Sequence, residues 1–194
     1  MVTAVPQPSI DIYRFAADIA YRAPDWLRAV LSVSGTTLLV GAAGLFIVLI
    51  IAARGKNRWH RALAVLAPGA ATVAYLLNEL LKETIRQERP CRVVTGVMTL
   101  ASCPEVDSWS FPSNHAVIAG AAIAAVWLLW RRLSILILPL ALLGAASRVL
   151  VGVHYPHDVL VGLLLGGAVT TLVLIAGRRL IAVPGRQRLP QPPR

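Results

Sequence analysis

Five apolar runs, most of them closed by charged residues, set the plan of this chain. Val30–Ala53 carries no charge and is long enough to span a bilayer with some tilt. Ala62–Asn78 is shorter and is closed by Glu79 and Lys82; Ala116–Trp130, Leu133–Ser147 and Val159–Gly177 follow. Several of these are short for a full crossing. Each helix is therefore expected to extend into the polar cluster at its end, so that the clusters lie at the interface, buried within the bundle. Residues 1–29 read differently. Ile10, Ile12, Tyr13, Phe15, Ala16 and Ile19 are interrupted by Asp11, Arg14, Asp18 and Arg22, the pattern of an amphipathic helix lying in the interface, with Pro24 as a break before the first span. No basic start leads directly into an apolar stretch, which argues against a cleavable signal peptide. The expected organisation is an interfacial segment at 1–29, a transmembrane domain at 30–180, and a basic tail at 181–194. The tail's Pro, Arg and Gln have nothing to bury, so it is expected to be disordered.

Composition strengthens this picture. The chain is 57% hydrophobic and 14% charged, a ratio that excludes an ordinary soluble domain and suits an all-α polytopic bundle of about five spans. The formal charge of +10 does not point to nucleic acid, because the cations fall between apolar runs and in the tail, where anionic lipid headgroups would meet them. Arg54, Lys56, Arg58 and Arg61 crowd the first connection, Arg131 and Arg132 the third, and Arg178, Arg179, Arg186, Arg188 and Arg194 the end. By the positive-inside rule these segments are expected in the cytoplasm. The stretches from Lys82 to Asn114 and from Arg148 to Asp158 then share the outer face. Cys91 and Cys103, the only cysteines, fall in the first of these, where an oxidising compartment permits a disulfide worth roughly 3 kcal/mol for so short a loop. Small residues at Gly41, Gly44, Gly162, Gly166 and Gly167 suit close helix packing.

Three polar clusters carry the chemistry. Lys82 and Arg89 are separated by nearly two helical turns, which lets both cations point one way, with Pro90 ending the helix. They make either a phosphate clamp or a snorkelling basic fringe. Pro112-Ser113-Asn114-His115 opens an apolar run; Ser113 is a natural N-cap, the backbone N–H groups beyond it form an anion site, and His115 could protonate an ester oxygen. The plainer alternative is a capping turn. In the third cluster Arg148 can bind phosphate oxygens bidentately, and His154 and Asp158 are four residues apart. A carboxylate orienting one imidazole nitrogen leaves the other aimed at substrate, with histidine itself as nucleophile; the alternative is a pair that staples a loop. Metal ligation by His115, His154, His157 and Asp158 is disfavoured by the surrounding cations. His157 reads as a surface residue and His60 has no evident role.

Lys82-x6-Arg89-Pro90, Pro112-Ser113-Asn114-His115 and Ser147-Arg148-x5-His154-x3-Asp158 together resemble the three signature motifs of the type 2 phosphatidic acid phosphatase superfamily, whose site is shared with vanadium haloperoxidases. The resemblance spans residues 82–158. It implies a transmembrane bundle and a phosphatase that uses neither metal nor other cofactor. His154 would attack phosphorus, Asp158 would orient it, and His115 would protonate the leaving group. Lys82, Arg89, Ser113, Arg148 and a backbone N–H near Asn114 would hold the phosphate oxygens. The family usually has Gly at the position of Asn114. A non-Gly residue there also occurs in its undecaprenyl-diphosphate phosphatases, which leads to a polyprenyl diphosphate as the expected substrate. Phosphatidylglycerophosphate, phosphatidic acid and a prenyl-linked phosphosugar are the alternatives within the class. Outside it stand a lipid-binding transport or scaffold protein and, more remotely, a haloperoxidase.

Overall fold

In the computed structural model, which describes residues 5–182, the chain is all-helical among the described residues. The order is α1 (Gln7–Tyr21), α2 (Asp25–Ala53), α3 (Arg58–Ile85), the one-turn α4 (Pro90–Val93), α5 (Asn114–Leu129), α6 (Ser134–Leu150) and α7 (Pro156–Ala182). The expected transmembrane bundle is what forms. α2, α3 and α7 are long and apolar enough to cross a membrane, and α5 and α6 are shorter apolar helices packed among them. The helix carrying the Val30–Ala53 run begins at Asp25, one residue after Pro24 at its N-cap. α7 runs on to Ala182. Of the expected tail, residues 183–194 lie outside the described residues.

α5 is the central post and packs against α2, α3, α6 and α7. Its sequence explains this. Ala116, Ala119, Ala121, Ala122, Ala124 and Ala125 are all buried, with Gly120 among them, so the helix is small and apolar on every side and neighbours approach it all round. The closest seam is with α7. A methyl group at Gly162 would stand 2.6 Å from the Ser113 carbonyl oxygen, and one at Gly166 would land on the Val117 carbonyl. Gly41 and Gly44 correct the sequence reading. A side chain at either would meet nothing within 4 Å, so they seat no other helix of this chain.

The polar clusters gather at one end of the bundle, where α3 and α6 finish and α5 and α7 start. At the other end lie the basic connections. Arg178 stacks over Trp59 at 5.2 Å, and His60 packs edge-on to Trp130 at 4.7 Å. α1 lies against α6 and α7. It buries Ser9, Tyr13, Ala17 and Ala20 and presents Ile12, Phe15 and Ile19 outward. The Tyr13 hydroxyl donates to the Gly152 carbonyl at 3.2 Å, which fastens α1 to the turn between α6 and α7.

Candidate active site

Four helix ends and one loop build the site. Lys82 projects from the last turn of α3. That helix stops at Ile85, because Arg86 adopts the left-handed conformation (φ 51°) and its N–H closes on the Lys82 carbonyl. Arg89 is extended (φ −73°, ψ 144°) and caps α4, as expected for a residue before proline. Lys82 and Arg89 therefore do not share a helix face, contrary to the spacing argument. A break three residues ahead of Arg89 separates them, and the loop carries Arg89 into the site by its own route.

Arg89 is 5% exposed and held in a fork. Nε donates to the Ser108 carbonyl at 2.8 Å, Nη2 to Ser108 Oγ at 2.8 Å, and Nη1 to the Val153 carbonyl at 3.1 Å. Nη1 also stands 3.2 Å from His154 Nε2. The other ring nitrogen, Nδ1, lies 3.3 Å from Asp158 Oδ2. Asp158 is fully buried; Oδ2 also accepts the Tyr155 N–H at 2.8 Å, and Oδ1 accepts Gln87 Nε2 at 3.0 Å. Donation from Nδ1–H to this carboxylate leaves a lone pair on Nε2. Burial, together with the charges of Arg89, Lys82 and Arg148, holds His154 well below the usual histidine range and so neutral. A neutral imidazole facing cations can act as a nucleophile.

Ser113 is the N-cap of α5, but its hydroxyl makes no capping bond. Its Oγ and the Arg148 Nε are buried without a partner among the described residues, both free to meet an anion. The Ser113 N–H donates to the Asp158 backbone carbonyl at 3.0 Å, which ties the start of α5 to the start of α7. His115 and Arg148 meet beside α2: a side chain at Gly35 would run into the Arg148 guanidinium and stand 3.2 Å from His115 Nε2. Lys82, 6% exposed, is 3.6 Å from Glu79 Oε1. Asn114 is pinned to α3: its Oδ1 accepts from Asn78 at 2.5 Å and its Nδ2 donates to Glu79 at 2.7 Å. The larger residue thus has its side chain secured, and the free N–H groups of the helix start are untouched. The arrangement offers one oriented imidazole, a second imidazole, three cations and unpaired donors, the groups that phosphoryl chemistry uses.

Sequence reasoning passed over Gln87, Asn78 and His157. His157 is not a surface residue: its Nε2 is 3.2 Å from Asp158 Oδ1, and its side chain is 23% exposed. Its position one residue before Asp158 was the available signal. Cys91 and Cys103 are joined, with α-carbons 5.9 Å apart, and close the loop that delivers Arg89.

The chain is similar to several known phosphatases. The chain is 36% identical over 137 residues to a decaprenylphosphoryl-5-phosphoribose phosphatase of Mycobacterium tuberculosis, covering 70% of this chain and 67% of the relative. It is 41% identical over 106 residues to a lipid A 1-phosphatase of Rhizobium etli, covering 54% and 46%, and 36% identical over 105 residues to an undecaprenyl-diphosphatase of Sulfolobus acidocaldarius, covering 52% and 48%. The fold is similar to that of Aquifex aeolicus LpxE, with a TM-score of 0.69 at 21% identity over 90% of this chain and 99% of the other. It is also similar to the transmembrane PAP2 type phosphatidylglycerolphosphate phosphatase of Bacillus subtilis, with a TM-score of 0.63 at 22% identity over 92% and 90%. The PAP2 superfamily model matches residues 63–181, and this chain belongs to that superfamily as a membrane phosphatase acting on lipid phosphates.

Proposed function

We propose that the protein hydrolyses a phosphate ester carried by a polyprenyl lipid, through a phosphohistidine. His154 Nε2 attacks phosphorus, forming the N–P bond as the P–O bond to the lipid portion breaks. His115 gives its proton to the departing oxygen, then takes one from the water that cleaves the N–P bond and releases phosphate. Lys82, Arg89 and Arg148 neutralise the phosphoryl oxygens, with Ser113 Oγ and the first N–H groups of α5 as further donors. One observation carries this reading. The two nitrogens of His154 face opposite partners, Asp158 on one side and the Arg89 guanidinium on the other, so an anion drawn to Arg89 meets the free lone pair. No metal is needed in this sequence of steps, and chelators should leave turnover intact.

A monoester on a prenyl-linked sugar phosphate leads as the substrate. Of the relatives compared, the one matched over the larger share of this chain is named for such a compound. The diphosphate expected from Asn114 is the second reading, favoured by the relative named an undecaprenyl-diphosphatase. The site faces away from the cytoplasm and the α7 end faces into it. The basic connections at the far end of the bundle support this orientation, as does a disulfide at the site end. The test is phosphate release from purified lipids of each class, with His154→Ala as control. Normal release by His154→Ala would sink the mechanism; release only from glycerophospholipids would sink the substrate assignment.

A further inference from the structure

Asp158 is shared by two histidines, and the second leads to the N-terminal helix. The His157 ring reaches Asp158 Oδ1 through Nε2 at 3.2 Å, while its Nδ1 lies 2.6 Å from Ser9 Oγ on α1. Ser9 is itself 7% exposed. A continuous assignment of protons links these members. The Ser9 hydroxyl donates to His157 Nδ1, His157 Nε2–H donates to Asp158 Oδ1, and Asp158 Oδ2 accepts from His154 Nδ1–H. Gln87 Nε2 braces the same carboxylate oxygen at 3.0 Å and stands 3.1 Å from His157 Nε2, while its Oε1 lies 3.2 Å from that nitrogen. The residues matched to the superfamily model begin at 63, so α1 lies outside that match. Through Ser9 it nevertheless touches a chain of contacts that ends on the nucleophile.

We propose that His157 is a positioning residue for the reaction, and that Ser9 on α1 holds its ring in the working orientation. The inference rests on His154 being the nucleophile. Its logic is geometric. A carboxylate that orients an imidazole must itself be kept from rotating. Asp158 Oδ2 is fixed by the Tyr155 N–H, whereas Oδ1 depends on side chains, Gln87 and His157. Without Ser9 the His157 Nδ1 loses its partner at 2.6 Å and the ring is free to turn. A turned ring withdraws Nε2–H from Asp158 Oδ1 and leaves that oxygen with fewer donors to hold it. Partners one step removed from a reacting group commonly change activity by roughly ten- to a hundredfold.

A structural alternative is also visible. The His157 ring stacks on Tyr155 at 5.4 Å and lies 5.6 Å from the Phe111 ring, so it could serve as packing alone. Glutamine separates the two, since it can donate to Asp158 and accept from Ser9 but cannot stack in the same way. The experiment measures steady-state phosphate release for His157→Ala, His157→Gln, Ser9→Ala, the His157→Ala/Ser9→Ala double variant and His154→Ala. Expected are a fall in kcat of roughly tenfold or more for His157→Ala with KM little changed, and recovery to within a few-fold in His157→Gln. Ser9→Ala should show a smaller fall, and the double variant no further loss beyond His157→Ala. Full turnover in His157→Ala overturns the proposal, as does a His157→Gln protein as impaired as His157→Ala, or additive losses for Ser9 and His157. Activity in His154→Ala would instead strike at the nucleophile assignment itself, so the two failures are distinguishable.

Discussion

Gly162→Ala is a one-methyl test of how the active site is held. The new Cβ would lie 2.6 Å from the Ser113 carbonyl oxygen, 2.9 Å from the Ala116 Cβ and 3.3 Å from the Val117 nitrogen. Ordinary contact needs about 3.5 Å, and two of these three neighbours are backbone atoms of α5 that cannot rotate aside. Relief requires the first turns of α7 to move outward by about 1 Å. Asp158 is one turn earlier on the same helix, and its carbonyl accepts the Ser113 N–H at 3.0 Å. Such a shift stretches that bond past its useful range and carries Asp158 and His154 away from Ser113. Alanine gains about 1 kcal/mol in helix propensity, while overpacking costs about 1–3 kcal/mol. The two nearly offset each other, so stability should fall by at most about 2 kcal/mol. A misplacement of about 1 Å costs on the order of a hundredfold in rate. The expected outcome is a protein that folds, melts close to wild type and loses most of its kcat in phosphate release. Leu164→Ala, exposed on the same helix, should change neither. Full turnover in Gly162→Ala would show that the α5–α7 spacing does not set the site.

Other substitutions probe single contacts. Asp158→Asn should fold but lose kcat by about 10⁴-fold, because the amide cannot hold His154 in the same tautomer; a loss confined to KM would contradict the orienting role. Arg89→Lys should cost roughly tenfold or more in kcat/KM, since an ammonium cannot keep the Ser108 and Val153 contacts and still face the phosphate. A wild-type value would remove Arg89 from the clamp. Cys91→Ser should lower unfolding stability by roughly 3 kcal/mol under oxidising conditions and leave it unchanged under reducing ones. Equal melting of both proteins without reductant would show that the bond does not form.

What could be read from the sequence was local. His154 and Asp158 stand one helical turn apart, and Ser113 precedes an apolar run. Those relations survive folding because they are fixed within a few residues of chain. The failures were of two kinds. Lys82 and Arg89 were placed on one helix because a seven-residue spacing fits two turns; nothing in Arg86 announces that it will take the left-handed conformation. Gln87 and Ser9 were missed because their partners are far away in sequence: Ser9 lies 148 residues from His157, and Gln87 lies 71 from Asp158. A contact of that kind exists only once the bundle has closed. Gly41 and Gly44 failed for a related reason. A small residue permits close approach, but whether a neighbour comes is decided by the rest of the fold.

The short central helix has a consequence for how deep the chemistry takes place. At the basic end, Leu129 of α5 clusters with Ala53 of α2 and Leu63 of α3, so α2 and α5 finish level with each other, five residues inside the start of α3. α5 then rises only about 24 Å before it reaches the site, less than the thickness of a bilayer's hydrocarbon. At that height its His115 faces Gly35, and α2 climbs on through Asp25–Ser34 for about 15 Å more. The candidate site is therefore a shelf sunk below the rim of its own protein and walled by α2. A lipid phosphate resting at the ordinary membrane surface would sit above that shelf. Either the headgroup sinks or the bilayer thins around the protein, at fractions of a kcal/mol per Å. Membrane thickness thereby becomes a variable of the reaction.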